Sequence, residues 1–493
     1  VRVNALRRNG EATIDKGNQE TNFGSLGIDY RGEQLRWSFD AMLQNDDTRE
    51  FRPQTSIAAT ASRVPSAPDA RGNFYPGTKL DYKNRTFMTS LEYDVSDRVT
   101  LYAGAGYTNF SYDQSFPSAV GGVAANGNFN ARNAYYDFYS RTFVSNAGAR
   151  FKFETGPVGH ALTVAANRQN QETGFFFGQS AGTVTSSIYN PVSLPAVNLA
   201  RVSPDRNQVN VLYSYVVTDT LSFLDEKVLI TLGVRDQTVE QKTYNNVTGA
   251  KTGSYDEDAV SPLAGVVIKP WENVSLYANH TKGLTRGTII GVGFANTGEA
   301  LAPFKSTQDE VGIKIDLGKI GLIASLFQIE RPNLETDPVT NRRDYVGEQR
   351  NRGLELGTYG EIGDGLRFMA STVFMRTKVE SVTNIDGKDA VGVPDVTANL
   401  SLDWDTPWVE GLTLNGRAIS TSDAYYNGLN TLSVPGWTRF DIGARYLTKA
   451  AGKSVVLRAN LENVADKDYW LQSGGFLTVA APRTLILSAT IDF

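Results

Sequence analysis

Histidine and cysteine, the side chains that most often carry acid–base chemistry or bind metals, are scarce in this sequence. Its 493 residues contain no cysteine and only two histidines, His160 and His280. A thiolate nucleophile, a disulfide framework and a cysteine-based metal site are therefore excluded. A nucleophile–His–acid set is disfavoured, since neither histidine has a convincing partner by spacing. We predict no catalytic residue, no metal site and no cofactor, and we expect that the protein is not an enzyme.

Two short motifs resemble sites only superficially. Asp256, Glu257 and Asp258 form a run of carboxylates, which we interpret as a solvated loop and not as a calcium or hydrolytic site. The stretch GVGFAN at residues 291–296 lacks the third glycine of a dinucleotide fingerprint, and no βαβ pattern surrounds it. We interpret this stretch as a flexible loop.

Aromatic side chains near the predicted long loops are better candidates for binding chemistry, because rings with polar tips suit a flat, partly apolar ligand. Arginines close to them would attract an anionic ligand. The candidate ligand-contact residues are Tyr112, Phe116, Tyr135, Phe175, Phe177, Arg201, Tyr244, Arg286, Tyr425 and Tyr426. The alternative for each of them is packing within the loops. Phe176 must lie on the opposite face from Phe175 and Phe177, so at least one of these rings faces inward.

The elements that must position these residues are strands, because apolar side chains recur with a period of two and helices would need 3.6. In the last strand Leu485, Leu487, Ala489 and Ile491 alternate with mostly polar residues. The pattern predicts about 20 strands, at residues 1–8, 20–31, 34–46, 82–94, 98–112, 134–153, 160–174, 206–218, 226–243, 256–269, 273–285, 305–316, 320–332, 344–361, 365–382, 391–404, 412–424, 432–447, 454–469 and 478–493.

The connections between these strands alternate in length. Short ones include residues 31–34, 96–98 and 155–160, and long ones span residues 46–81, 113–133, 174–205, 244–255 and 286–304. This alternation is typical of an outer-membrane barrel, with tight periplasmic turns and long extracellular loops. No run of about 18 apolar residues is present, which excludes ordinary transmembrane helices.

Residue parity also favours a membrane barrel. In hydrocarbon every backbone N–H and C=O needs a partner, so a spanning sheet must close on itself, with an apolar outer face. Charged residues such as Glu92 and Arg439 fall on the polar parity, where they would face a wet lumen. Trp271, Trp404 and Trp408 lie at short turns, as an aromatic girdle at the membrane interface requires. We predict an all-β fold, a transmembrane antiparallel up-and-down β-barrel.

Several stretches resemble one protein family. LRANLENVADKDYW (residues 457–470) and GGFLTVAAPRTLILSATIDF (residues 474–493) resemble the last two strands of TonB-dependent outer-membrane receptors. Residues 283–316, 347–368 and 435–446 resemble the siderophore-receptor branch of that family. The resemblance covers essentially the whole chain and is sharpest from Gly283 onward.

The resemblance implies a barrel of about 22 strands with an N-terminal plug inside it. The stretch VRVNALRR at residues 1–8 resembles the third strand of the family. We therefore expect residues 1–493 to be the barrel domain, with about 20 strands, and the plug, the TonB-binding box and the first two strands to be absent. The terminal Phe493 resembles the signal by which the outer-membrane assembly machinery recognises a barrel.

In this family a ligand, usually a ferric chelate, lands on the extracellular loops and the upper lumen wall. The TonB–ExbB–ExbD complex then supplies energy through the plug. We expect a receptor in the outer-membrane bilayer of a Gram-negative cell that imports a ferric siderophore, with iron held inside its chelator. The alternatives are a passive plugless pore and a receptor for cobalamin, haem or carbohydrate. The net charge of −5 argues against a nucleic-acid partner.

Overall fold

The computed structural model of the protein describes residues 1–285, 287–290, 293–299 and 301–492. These residues form 27 strands. The strands are β1 (Arg2–Glu11), β2 (Asn18–Arg31), β3 (Leu35–Arg49), β4 (Lys79–Ser96), β5 (Val99–Ser115), β6 (Ser118–Val120), β7 (Asn128–Arg132), β8 (Ala134–Thr155), β9 (Val158–Gln179), β10 (Val184–Ser187), β11 (Asp205–Phe223), β12 (Val228–Tyr244), β13 (Lys251–Trp271), β14 (Val274–Thr285), β15 (Phe304–Asp316), β16 (Ile320–Thr336), β17 (Arg343–Ile362), β18 (Leu366–Glu380), β19 (Val396–Asp405), β20 (Leu412–Thr421), β21 (Ala424–Tyr425), β22 (Ser433–Val434), β23 (Trp437–Ala450), β24 (Lys453–Glu462), β25 (Trp470–Ser473), β26 (Phe476–Val479) and β27 (Thr484–Ile491). Across the described ranges, no helix is long and apolar enough to cross a membrane.

Twenty of these strands form one antiparallel sheet, in which each strand pairs with the next one along the chain. The predicted all-β fold and the predicted number of strands are therefore confirmed. The seven short strands β6, β7, β10, β21, β22, β25 and β26 lie in the long loops. Within the described residues no backbone pairing joins β1 to β27, so these two strands are the edges of the sheet.

The register places the apolar parities of neighbouring strands on one face of the sheet. Leu457 of β24, for example, pairs with Ala489 of β27. The opposite face carries the charges, and there Arg439 forms ion pairs of 2.7 Å with both Asp441 and Glu462. Because hydrocarbon does not solvate charges, the apolar face is the lipid side and the charged face lines the lumen.

The two ends of the barrel differ as the lengths of the connections predict. The turns at residues 97–98, 156–157 and 451–452 are tight, and Gly156 has a φ of 61°, which favours glycine. Trp271 and Trp408 lie at this end and are 67% and 62% exposed. Trp404 contacts Trp408 edge to face, with ring centroids 4.9 Å apart. All three tryptophans therefore lie at the short-turn end of the barrel, as predicted, and an aromatic girdle at the membrane interface stays a prediction.

The last two strands of the sheet are shorter than predicted. We predicted residues 454–469 and 478–493, but β24 ends at Glu462 and β27 begins at Thr484. Asn463 has a φ of 50°, which ends the extended backbone. Tyr469 and Val479 share the apolar parity of the two predicted strands, but they are buried among the long loops at 7% and 4% exposure. A period of two therefore does not distinguish a barrel strand from a packed loop.

Candidate functional site

Seven aromatic side chains form a continuous series on β4, β5, β8 and β9, toward the long-loop end of the barrel. They are Tyr82, Phe110, Tyr112, Tyr136, Phe138, Phe175 and Phe177. Their ring centroids follow one another at distances between 5.4 and 6.3 Å. We call these seven residues the aromatic ladder.

Strand register explains why the ladder is continuous. Tyr112 pairs with Tyr82 on one side and with Phe138 on the other, and Phe138 pairs in turn with Phe175. Directly opposed residues of antiparallel strands have Cβ atoms about 4.5–5.5 Å apart, so rings at the same register come into contact. Four neighbouring strands thus supply one surface of contacting rings, of which Tyr112, Tyr136, Phe138 and Phe175 make the stacked contacts.

The ladder faces the lumen. Tyr112 and Phe175 share the parity of Ser90 and Asn167, which lie on the polar face of the same strands. Tyr136 and Phe177 remain 39% and 46% exposed, so these rings are available to a ligand. The alternation along β9 places Phe176 on the other face, as predicted.

Five long loops pack together above the ladder and form what we call the cap: residues 50–78, 116–133, 180–204, 422–436 and 463–483. Its apolar core consists of Ile57, Ala70, Phe74, Tyr75, Val123, Phe129, Ala131, Ile188, Tyr426, Leu432, Val434, Trp470, Leu477 and Val479. Burial of this apolar surface holds the loops together although they are far apart in the chain.

Hydrogen bonds fix the loops of the cap to one another. The indole N–H of Trp470 donates to the Pro65 carbonyl at 2.7 Å. The Thr55 and Leu477 backbones exchange two hydrogen bonds of 2.9 and 2.8 Å. The Tyr75 hydroxyl lies 2.9 Å from the Thr55 hydroxyl. Burial raises the pKa of the Tyr75 hydroxyl to about 12, so this group stays neutral across the physiological range.

Phe116 lies where the ladder meets the cap. Its ring stacks on Phe51 with centroids 5.8 Å apart and meets Tyr75 edge to face at 6.4 Å. The predicted candidates Tyr112, Phe175, Phe177 and Phe116 therefore belong to one aromatic region, and ligand contact at each of them stays a prediction.

Arg201 and Tyr135 lie together, away from the ladder. The Arg201 guanidinium is 4.7 Å from the Tyr135 ring centroid and donates to the buried Asp137 carboxylate at 2.6 Å. The hydrogen bond to this carboxylate raises the pKa of Arg201. Tyr244 lies elsewhere, at the end of β12, under the Arg206 guanidinium at 4.1 Å. The structure thus does not bring these candidates into the aromatic ladder, and ligand contact at each of them stays a prediction.

Tyr425 of β21 and the adjacent Tyr426 belong to the cap. Tyr426 is 8% exposed, and its hydroxyl accepts from Ile57 N–H and donates to the Gly475 carbonyl, each at 2.7 Å. Tyr425 is half-buried beside it. Ligand contact at both stays a prediction. Arg286 and Phe493, predicted as a ligand contact and an assembly signal, lie outside the described residues.

Each of the two histidines lies close to a carboxylate, and both pairs are on the lipid-facing side of their strands. His160 Nδ1 is 2.7 Å from Asp219, and His280 Nδ1 is 2.7 Å from Asp309. Each histidine therefore has the carboxylate partner that its spacing did not predict. In the part of the chain that the structure describes, no group of three or more His, Cys, Asp or Glu side chains is arranged to hold a metal ion.

The acidic run at residues 256–258 is not a loop, which corrects our interpretation. All three carboxylates lie within β13, and strand alternation sends Asp256 and Asp258 to one face and Glu257 to the other. The Asp258 carboxylate accepts from the Thr238 hydroxyl at 2.6 Å.

The predicted ligand contacts did not include four members of the ladder: Tyr82, Phe110, Tyr136 and Phe138. Phe110 stands two residues before Tyr112, and Phe138 two residues after Tyr136. Aromatic residues at i and i+2 on consecutive predicted strands were the available signal. Chemically, the ladder and the cap can bind a flat or partly apolar ligand through ring contacts and Tyr hydroxyls.

Comparisons with known proteins agree with this geometry. The family model described as "TonB dependent receptor-like, beta-barrel" matches residues 11–464. The ferrichrome receptor FcuA of Yersinia enterocolitica is 33% identical over 510 residues, which cover 100% of this chain and 67% of the receptor. The ferrichrome outer membrane transporter/phage receptor of Escherichia coli is 26% identical, over 100% of this chain and 70% of the transporter. The crystal structure of BauA, the ferric preacinetobactin receptor of Acinetobacter baumannii, superposes with a TM-score of 0.91 at 31% identity, covering 100% of this chain and 75% of that one.

Proposed function

Because this chain belongs to the TonB-dependent receptor family, whose barrels lie in the outer membrane, we propose that it binds a ferric siderophore at its extracellular end and that the receptor imports it with TonB-supplied energy. The names of two relatives support this ligand class. FcuA is a ferrichrome receptor and BauA is a ferric preacinetobactin receptor. Each is about one third identical to this chain, at 33% and 31%.

The aromatic ladder is the observation that carries the proposal. It places Tyr136 and Phe177 as exposed rings on the lumen wall, below the cap. Rings with hydroxyl tips suit a ligand that has apolar faces and polar edges, and a partly apolar ferric chelate would be such a ligand.

The mechanism that follows is binding and gated translocation without covalent chemistry. The chelate would pass the cap, contact the ladder, and stay bound until the TonB–ExbB–ExbD complex acts on the receptor. Iron remains coordinated by its chelator throughout, so the ladder need recognise only the organic ligand. The charged lumen wall, which includes the Arg439–Asp441 ion pair of 2.7 Å next to the cap, offers a polar path.

Uptake of iron-55 by cells tests this function. The full-length gene is deleted and restored, and transport is measured with ferric hydroxamate, catecholate and mixed-ligand siderophores. We expect loss of uptake for one siderophore class in the deletion strain, and equal loss in a strain that lacks TonB.

The remaining outcomes separate the alternatives. Uptake that persists without TonB would indicate a passive pore. Normal uptake of every ferric siderophore in the deletion strain would contradict the proposal, and growth assays with cobalamin, haem and carbohydrates would then identify the ligand class.

A further inference from the structure

On β14–β18, the lipid-facing side chains change abruptly from apolar to polar and charged toward the long loops. One row of residues that pair across these strands is entirely apolar. It consists of Phe374, Leu354, Leu326, Val311 and Ala278. The next row toward the long loops, in the same parity, is Arg376, Arg352, Gln328, Asp309 and His280. The upper edge of the apolar belt, which marks the extracellular membrane interface, therefore lies between these two rows.

Four cations meet at the β17–β18 end of this boundary. Arg352 pairs directly with Arg376, and Arg350 pairs directly with Lys378. Like charges directly opposite each other on adjacent strands are destabilising, because their side chains lie on the same face about 5 Å apart at Cβ. An anion between them would remove that repulsion.

The carboxylates nearby compensate only one of the four cations. Arg350 forms ion pairs with Glu330 at 2.7 Å, and with Glu348 and Glu380 at 3.1 Å each. Arg352 donates to the Gln328 side chain, which carries no charge. Among the described residues, Arg352, Arg376 and Lys378 make no ion pair, and all three are exposed.

The cations rim a concavity on the lipid side with a volume of about 1410 Å³. Its floor includes Leu354, Phe374 and Val266, and its upper wall includes Arg352, Arg376 and Lys378. All six side chains have the lipid-side parity, so the concavity opens to the membrane and not to the lumen. It is apolar where acyl chains lie, and where head groups lie it carries Arg352, Arg376 and Lys378, with Asp309 as the acidic member of the rim.

We propose that this concavity binds a phosphate-bearing lipid of the outer leaflet. Its acyl chains would cover the apolar row, and a phosphate would lie between Arg352 and Arg376, where it would neutralise two facing guanidinium groups. Arginine suits this position because its planar fork can donate two hydrogen bonds to a phosphate. The site lies on the outer surface and does not depend on which ligand the lumen binds.

Lipid retention by the purified full-length receptor tests the proposal. The receptor is loaded with bisphosphorylated lipid A or with dephosphorylated lipid A, washed by detergent exchange, and analysed by native mass spectrometry. We expect retention of the phosphorylated lipid only. The double variant Arg352→Gln/Arg376→Gln should retain it about ten- to thirtyfold less well, at roughly one tenfold step or less per removed surface cation.

Controls separate the lipid site from general charge and from misfolding. The double variant Arg63→Gln/Lys251→Gln removes two exposed cations at the long-loop end of the barrel, one in a loop and one at the start of β13, and should retain lipid like the parent. The conservative variant Arg352→Lys/Arg376→Lys should retain most of the lipid. Heat-modifiable migration on gels verifies that each barrel is folded. Equal retention by the parent and the glutamine variant, or displacement of the lipid by millimolar inorganic phosphate alone, would overturn the proposal.

Discussion

The extracellular ends of the two sides of the barrel are stabilised in different ways. Above β3–β9 and β20–β27, the cap encloses an apolar core with Trp470 at 3% and Tyr75 at 0% exposure. Above β14–β17, polar contacts join the loops. The Asn296 side chain donates to the Arg343 carbonyl at 2.8 Å, and its own carbonyl oxygen accepts from the Arg343 N–H at 3.0 Å.

This difference matters for function because the two kinds of contact resist opening differently. An apolar core is cooperative, so loosening one loop exposes the surface of its neighbours. Polar links between loops are individually worth about 1 kcal/mol and can be exchanged for water. We therefore expect the cap to open as a unit over the aromatic ladder, and the β14–β17 loops to adjust one by one.

The largest expected effect comes from removing the central side chain of the cap. Trp470→Ala deletes a buried indole and its hydrogen bond to Pro65, which should cost the cap about 3–5 kcal/mol. Hydrogen exchange of residues 50–78 and 463–483 should accelerate by at least a hundredfold, while the barrel strands stay protected.

Trp408→Ala is the matched control, since Trp408 is 62% exposed at the opposite end of the barrel. It should leave exchange in the cap unchanged. Acceleration confined to the 463–483 loop would show that the cap is not one cooperative unit.

A substitution in the aromatic ladder should weaken ligand binding and leave the stability of the cap unchanged. Phe177→Ala removes a ring that is 46% exposed to the lumen, and we expect siderophore binding to weaken about tenfold, or about 1.4 kcal/mol. Phe176→Ala is the control, because the adjacent side chain points to the other face of β9. Fluorescence quenching with a ferric siderophore measures both, and equal loss in the two variants would contradict a lumen-side site.

The polar loops should show a smaller and more local effect. Asn296→Ala removes both hydrogen bonds to the Arg343 backbone, which should cost about 1–2 kcal/mol because Asn296 is buried. Hydrogen exchange should accelerate at residues 337–345 and remain unchanged in the cap. Faster exchange in residues 50–78 would show that the two loop systems are coupled after all.

The barrel was more predictable from sequence than the cap, for a physical reason. A bilayer imposes one rule on every spanning strand, so residues such as Leu457 and Ala489 reveal their face through parity alone. The cap obeys no such periodic rule. Val479 shares the apolar parity of β27 but packs in a core with residues from Ile57 to Val434, and contacts across several hundred residues leave no local pattern.

The candidate site was predictable in part for the same reason. Alternation along β9 predicted the opposite faces of Phe175 and Phe176. The continuity of the ladder depends on the register between β4, β5, β8 and β9, which sets Tyr82 beside Tyr112. Register is fixed by pairing over whole strands and long connections, so inspection of one strand did not reveal its partner.

The smallest expected effect is the acid sensitivity of the cap. Asp466 accepts a hydrogen bond from the Arg483 N–H at 2.9 Å and lies within 3.3 Å of the Arg71 and Arg483 guanidinium groups. The backbone hydrogen bond from Arg483, followed by the two positive charges, lowers the pKa of the Asp466 carboxyl. A carboxyl with a lowered pKa in the folded state stabilises that state above its ordinary pKa of about 3.9. This stabilisation is lost as the pH falls through the lowered value.

Hydrogen exchange in residues 463–483 should therefore show constant protection between pH 7 and about 5, after correction for the intrinsic exchange rate, and falling protection below about pH 4. Asp466→Asn keeps an oxygen for the Arg483 N–H but removes the charge, so its protection should be lower at pH 7 and nearly independent of pH. Asp337→Asn is the control, because the pKa of Asp337 is also lowered, first by its hydrogen bond with Thr340, but within the β16–β17 loop. This control should alter exchange only in residues 337–342. An acid response of the 463–483 loop that survives in Asp466→Asn would assign it to another carboxylate, for which Asp468, the acceptor of the Ala70 N–H at 2.9 Å, is the next candidate.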